Sequence, residues 1–175
     1  MRRPLLVLAT VAGLGLAAAT ASPASAVDSS VTFTITAGEL AISAPASVNL
    51  GSVATGAASV SGPIGPVTVT DERGTLDGAW TATVIGTDFT TGGATPSETI
   101  GNINLTYAPG DATSTTGTGT FAPGAGGIIN VPRTAFTGTA LTGNNSATWN
   151  PTVTLTLPAT AVAGTYTGTV THSVA

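Results

Sequence analysis

Cysteine and lysine are absent from this sequence, histidine occurs once, and only 7% of its 175 residues are charged. Without cysteine the chain has neither disulfide bonds nor a cysteine nucleophile, so its fold depends on an apolar core. A single histidine without cysteine excludes the usual kinds of zinc site. Aromatic residues make up only 5% of the chain, which argues against an aromatic-lined glycosidase cleft.

The charge balance is acidic, with few cations. The chain holds four arginines against eight acidic residues, and two of those arginines stand at positions 2 and 3. Binding to nucleic acid requires that lysine and arginine neutralise phosphates, and binding to anionic lipid has a similar requirement. We therefore expect neither as a partner.

The amino terminus has the organisation of a secretory signal peptide. Arg2 and Arg3 precede the apolar stretch "LLVLATVAGLGLAAA", and small residues occupy positions 24–26. A membrane anchor is the alternative, but the segment is short and rich in alanine and glycine, and no second apolar run is long enough to span a bilayer. The sequence predicts a cleaved signal peptide over 1–26. It predicts one secreted, extracellular domain over 27–175, with a net charge of about −6 and no integral membrane segment.

Apolar and polar residues alternate with a period of two along most of this domain. A period of two places successive side chains on opposite faces of a strand, one buried and one in water. This pattern is typical of antiparallel sheets. The segments expected as strands include 31–36, 65–70, 79–85, 101–107, 151–158 and 164–174.

Turn residues recur between these segments, and helical periodicity is nearly absent beyond the signal peptide. The pattern predicts an all-β fold, an antiparallel β-sandwich of the immunoglobulin-like, Greek-key type, with a barrel as the alternative. Two segments are less regular. Composition predicts a flexible Gly/Thr-rich loop or weakly ordered hairpin around 108–127, and a strand plus loop over 134–146.

The few reactive side chains do not form a catalytic motif. His172 lies on the apolar face of a predicted strand, where a packed structural role is the common one. Asp71 and Glu72 are adjacent on a predicted strand, so their carboxylates point to opposite faces and make a poor acid–base pair. Asp77 adds a further oxygen ligand, but the spacing is not that of a calcium loop. We expect no enzymatic activity, no metal and no cofactor.

Four charged residues fall within seven positions in the stretch "VTVTDERGTLDGAW", just before one of the two tryptophans. The pattern predicts a hairpin in which one strand ends at Asp71, a glycine-containing turn follows, and the next strand starts at Ala79. Arg73 is expected to pair with Asp71 or Asp77, and Trp80 to anchor the core. The alternative is a ligand site formed by the same side chains.

This stretch resembles the first conserved block of the WxL domain family, surface proteins of Gram-positive bacteria that attach non-covalently to the cell wall. The family block contains Asp-x-Arg, a glycine-containing turn, Gly-Trp-x-Leu and a strand that ends near a phenylalanine. The matching positions in this chain are Asp71, Arg73, Gly78, Trp80 and Phe89. Ala79 is inserted before the tryptophan, and Ala82 stands in place of the leucine.

Two further blocks resemble the same family. The stretch "LAISAPASVNLGSV" is similar to its opening strand, and "LTLPATAVAGTYTGTVTHSV" to its closing block. His172 stands at the position of the second tryptophan and Val174 at that of the following leucine. The resemblance spans roughly 38–174 in blocks and implies an exported β-domain that associates with the cell wall.

Two functional hypotheses follow. In the first, the protein associates non-covalently with peptidoglycan or another cell-wall polymer through a β face, by hydrogen bonding and aromatic stacking. The candidate ligand-binding residues are Asp71, Arg73, Trp80, Trp149, Tyr166 and His172. In the second, the domain is a structural or assembly module of an extracellular coat or fibre. Its low charge and exposed threonine rows then suit packing against other surface proteins or against itself.

Overall fold

The computed structural model describes residues 26–175. The predicted signal peptide, 1–26, lies outside the described residues except for Ala26. The chain divides between Thr34 and Ile35, and residues 35–175 form one compact unit. Within residues 26–175, no helix is both long enough and apolar enough to cross a membrane.

The described residues form twelve strands and two single-turn 3-10 helices, which confirms the all-β prediction. The strands are β1 (Leu40–Ser43), β2 (Ser59–Pro63), β3 (Val67–Asp71), β4 (Leu76–Gly86), β5 (Phe89–Thr90), β6 (Thr99–Ile100), β7 (Leu105–Ala108), β8 (Ala112–Pro123), β9 (Gly127–Ile128), β10 (Arg133–Trp149), β11 (Thr152–Thr156) and β12 (Val170–Val174). The 3-10 helices, Pro96–Glu98 and Asn102–Asn104, lie on either side of β6. The pairings between these strands are antiparallel.

The first sheet is organised around β10, a strand of 17 residues. β8 pairs with one side of β10 along most of its length. On the other side of β10, β4 pairs with residues 133–142 and β3 pairs with residues 145–149. β3 and β4 therefore lie end to end along β10. β1 pairs with β3, and β12 pairs with β4. β1 and β12 are also in contact with each other.

The second sheet has the order β2–β11–β7–β9, and β5 and β6 form a separate two-stranded ribbon. Alternation decides which side chains face inward. In β3, Val67, Val69 and Asp71 are buried, whereas Thr68 and Thr70 are half-buried. Apolar side chains of both sheets form one core, whose members include Trp80, Val84, Leu105, Tyr107, Phe136, Trp149, Val153 and Leu155. The prediction of an antiparallel β-sandwich is therefore confirmed.

The segment between β3 and β4 is a bulge, and the prediction of a hairpin there is wrong. The two strands do not pair with each other, because both pair with β10 in the same direction. The ladder advances five positions from Asp71 to Leu76 but only three from Asn145 to Thr142, so the bulge accommodates two extra residues. Gly74, at φ 64°, takes a backbone conformation that glycine adopts without strain.

The strand β8 falls within the segment predicted as a flexible loop around 108–127, and the loop prediction is wrong for Ala112–Pro123. β8 is held by its ladder with β10, and composition alone does not show which strand is the neighbour or what the register is. Threonine suits a strand, and Gly117 and Gly119 take positive φ values of 83° and 151° near the register shifts. The loop expected within 134–146 is likewise part of β10.

The first alternating segment, 31–36, belongs to no ladder within residues 26–175, so the strand predicted there does not form in this structure. Val31, Phe33 and Ile35 are 87%, 85% and 84% exposed. Alternation predicts the two faces of a strand, but a ladder also requires a neighbouring chain segment with free backbone groups.

Candidate functional site

The charged cluster at the bulge centres on an ion pair with a buried carboxylate. Asp71, the last residue of β3, is fully buried. Arg73 Nε donates to Asp71 Oδ1 at 2.8 Å and Arg73 Nη2 donates to Oδ2 at 3.0 Å, so the pair is bidentate. The backbone N–H of Arg73 also donates to Oδ1, at 3.1 Å. These hydrogen bonds, and above all those from the guanidinium, hold the pKa of the Asp71 carboxyl below its ordinary value of 3.8.

Arg73 also joins the two strands that the bulge separates. Its Nη2 donates to the carbonyl oxygen of Ala79 at 3.0 Å, so one side chain binds both the end of β3 and the body of β4. The side chain is 33% exposed. Of the two partners that the sequence allows for Arg73, the structure selects Asp71 rather than Asp77.

Asn145 of β10 extends this pair into the core. Its Nδ2 donates to Asp71 Oδ2 at 3.3 Å, and its Oδ1 accepts from the indole Nε1 of Trp80 at 3.0 Å. Trp80 is 2% exposed and lies over Gly138, where an added Cβ atom would come within 2.6 Å of the indole. We call Asp71, Arg73, Asn145 and Trp80 the Asp71 network.

The second tryptophan belongs to a separate chain of hydrogen bonds. Trp149 Nε1 donates to the hydroxyl oxygen of Tyr107 at 2.9 Å, and that oxygen lies 3.1 Å from His172 Nε2. Indole nitrogen only donates, so the hydroxyl proton of Tyr107 is free to bind an unprotonated Nε2. Trp149 also stacks on Phe136, with ring centroids 4.7 Å apart. We call Trp149, Tyr107 and His172 the His172 network.

Burial keeps the His172 network uncharged. It lowers the pKa of His172 from 6.5 to about 4 and raises the pKa of Tyr107 from 10.0 to about 12. The histidine is therefore neutral at neutral pH, and in the tautomer with its proton on Nδ1 it accepts the hydroxyl proton of Tyr107 at Nε2. This state suits an acceptor within a packed core.

Tyr166 lies apart from both networks. Its hydroxyl oxygen is 3.0 Å from the carbonyl oxygen of Val162 and 3.3 Å from that of Ser97. The side chain is half-buried and packs against the core. It therefore connects the segment before β12 to the 3-10 helix at Pro96–Glu98.

The structure thus brings the six candidate residues into two networks and one isolated contact, not into one surface. Asp71, Arg73 and Trp80 share one network, while Trp149 and His172 share the other. The two indoles are 2% and 0% exposed, so a sugar ring has no access to their faces in this conformation. The polar atoms of these side chains are used mainly to connect strands.

Two residues that complete the networks, Asn145 and Tyr107, were not among the sequence candidates. A buried indole N–H requires an acceptor, which indicates that a polar atom faces each tryptophan. The acceptors lie 65 positions from Trp80 and 42 from Trp149. Sequence alone does not give that register.

Acidic side chains do not converge in the described part of the chain. No group of three or more His, Asp or Glu residues there has an arrangement that could hold a metal ion. Asp88, for example, accepts a hydrogen bond from the backbone N–H of Asn102 at 2.7 Å.

Arg133 lies at an open cleft of about 290 Å³, lined by Ala125, Gly126, Pro132, Arg133 and Thr134. Its Nε donates to the carbonyl oxygen of Ile128 at 2.6 Å, and within residues 26–175 it forms no ion pair. Arg133 therefore presents a cation without a carboxylate partner on an otherwise acidic protein.

The outer edge of β8 is an exposed, uncharged feature of the first sheet. One side of β8 pairs with β10, and no described strand pairs with the other side. Residues 113–120 are all exposed, and Ala112–Pro123 contains no charged residue. Near its end, the half-buried ring of Phe121 contacts Trp80, with centroids 6.1 Å apart.

Comparison with protein-family models, curated proteins and solved structures finds no match to this chain. What the protein does must therefore be inferred from its own residues.

Proposed function

We propose that this protein is a secreted structural module of the bacterial cell surface, which assembles with further copies or with other surface proteins through the edge of its first sheet. The observation that carries the proposal is β8. One side of it, which pairs with no strand of the described chain, offers backbone N–H and C=O groups along twelve residues. Proteins that remain monomeric usually protect such an edge with lysine, proline or a covering segment.

The positions of the other candidate residues support a structural role. Both tryptophans and Asp71 are buried and hydrogen-bonded, so their side chains stabilise the sandwich. The β8 edge also carries no charge, so two acidic copies meet there without direct repulsion between carboxylates. The resemblance to exported surface proteins is consistent with this location.

A charge on the edge strand tests the proposal. Thr118→Lys places an ammonium group at the centre of β8, whereas Thr106→Lys places the same group on an exposed position of β7, which is paired on both sides. Sedimentation velocity over a concentration series measures self-association. We expect Thr118→Lys to weaken it about tenfold or more and Thr106→Lys to leave it unchanged. A monomer at all concentrations that also captures no cell-surface protein would contradict the proposal.

A second candidate function is association with a cell-wall polymer, and Arg133, which lies at its cleft without an ion-pair partner among residues 26–175, favours it. A guanidinium binds carboxylate or phosphate groups, and both kinds of group occur in wall polymers. The test is co-sedimentation with purified sacculi across a salt series, for the native protein and for Arg133→Gln. Binding through Arg133 is expected to weaken with salt and to be lost in the variant. Absence of saturable binding would contradict this candidate.

A further inference from the structure

The segment 31–36, "VTFTIT", has the pattern of a half-buried strand but pairs with no strand of the described residues. Val31, Phe33 and Ile35 alternate with threonines, and all three apolar side chains are at least 84% exposed. Contiguous exposed apolar side chains of this size are typical of interaction sites. Because their period is two, they lie on one face only when the segment is extended, which indicates addition to a sheet.

The β8 edge has an apolar end that this pattern matches. Trp80 of β4, Gly138 of β10 and Phe121 of β8 are paired in register across the first sheet. The indole lies over Gly138 and contacts the ring of Phe121. Phe121 is the last member of this row, and its ring remains partly exposed at the open edge. An apolar side chain on a further strand would cover it.

We propose that the segment 31–36 of one copy of this chain adds as an antiparallel strand to the outer edge of β8 of a second copy, with Phe33 beside Phe121. This inference rests on the proposed assembly function and names its partner as the chain itself. The antiparallel direction follows the pairings of the sandwich itself. In this register Thr34 lies opposite Thr120, on the face away from the core.

The segment 31–36 and the β8 edge are both uncharged, and they are different surfaces of the same chain. The segment 31–36, which we call the donor segment, lies in a stretch between Asp28 and Glu39 that holds no charged residue. Ala112–Pro123 holds none either. Each copy carries one donor segment and one β8 edge, and these are different surfaces. The contact is therefore head-to-tail, so copies join into a ring or a growing filament.

Single cysteines test the pairing, because the native chain contains none. The protein is expressed from its full sequence as two separate variants, Thr34→Cys and Thr120→Cys, which are mixed under mild oxidation. A disulfide between residues 34 and 120 then forms only between copies, and peptide mapping identifies it. The matched control replaces Thr120→Cys by Thr106→Cys on β7. We expect the 34–120 disulfide to form about tenfold faster than the 34–106 disulfide. Equal rates would overturn the proposal.

Two aspartate substitutions, made in separate variants, test the two faces of the donor segment one at a time. Phe33→Asp removes the apolar contact, whereas Thr34→Asp adds the same charge to the opposite face. We expect both charges to weaken self-association, and Phe33→Asp to weaken it several-fold more than Thr34→Asp because it also removes the apolar contact, with the thermal midpoint unchanged because Phe33 is exposed. If Thr118→Lys weakens assembly while Phe33→Asp does not, the assembly function stands and the donor strand is wrong. If the native protein never self-associates, this proposal is wrong whatever else the β8 edge binds.

Discussion

The Asp71 network and the His172 network each place one of the two tryptophans in the core, but by different means. The Asp71 network contains a bidentate ion pair and reaches solvent through Arg73, which is 33% exposed. The His172 network is neutral and joins strands of both sheets, since Tyr107 lies on β7 while Trp149 and His172 lie on β10 and β12. A charged network therefore secures a bulge within one sheet, and a neutral one secures the contact between sheets.

This difference determines what each network tolerates. A buried carboxylate depends on its cation, so the Asp71 network is sensitive to loss of charge. The His172 network has no charge to lose, but it is sensitive to gaining one, because a protonated imidazole no longer accepts the hydroxyl proton of Tyr107.

The largest effect is expected for Arg73→Ala, which leaves the carboxylate of Asp71 buried without its cation. Because Arg73 is 33% exposed and Asp71 keeps its hydrogen bonds from the Arg73 backbone and Asn145, we expect a loss of about 2 to 3 kcal/mol in the free energy of unfolding, measured by urea denaturation at pH 7. Arg133→Ala removes an exposed arginine that forms no ion pair among the described residues, and is expected to change stability by about 0.5 kcal/mol or less. Similar losses in the two variants would show that the Asp71–Arg73 ion pair does not secure the bulge.

Acidification is expected to affect the two networks in separate pH ranges. The pKa of His172 falls from 6.5 in the unfolded chain to about 4 in the fold, so only the unfolded chain gains this proton between those values. Stability should therefore fall as the pH drops from 6.5 to about 4, by about 2 kcal/mol since His172 is only partly buried.

The contribution of Asp71 persists to lower pH. Its pKa lies below 3.8 in the fold, so the stability that it provides is lost only as the pH falls below that value and through the depressed pKa. Urea denaturation from pH 7 to pH 3 measures both ranges. His172→Gln should abolish the decline between pH 6.5 and 4 and leave the later one. A decline that persists unchanged in this variant would contradict the assignment to His172.

The smallest effect is a difference between two identical substitutions. Trp80→Phe leaves the Oδ1 atom of Asn145 buried without a donor, which adds about 1 to 3 kcal/mol to the cost of the lost indole volume. Trp149→Phe leaves Tyr107 with a partner, because its hydroxyl still donates to His172, so we expect a smaller added cost of about 1 kcal/mol. Denaturant midpoints of the two variants measure the difference, and the reverse order would contradict the hydrogen-bond assignments.

The sequence predicted what depends on local pattern and missed what depends on partners. Alternation correctly predicted strands at 65–70 and 79–85, whereas the charge pattern left Asp71 and Asp77 open as partners of Arg73, and the structure shows Asp71. The same glycines and aspartates that mark a hairpin also suit a bulge, and only the common neighbour β10 distinguishes the two. Partners distant in sequence, such as Tyr107 and His172, have no local signal.

Backbone amide hydrogen exchange, measured for the native protein over a concentration series, tests most directly whether the protein acts through strand edges. We predict that residues 31–36 and the outer amides of β8 exchange rapidly in dilute solution and become protected together as the concentration rises. The amides of β3 and β10 that pair within the sheet should stay protected throughout. Rapid exchange of 31–36 and β8 at every concentration would contradict assembly of copies through these two segments.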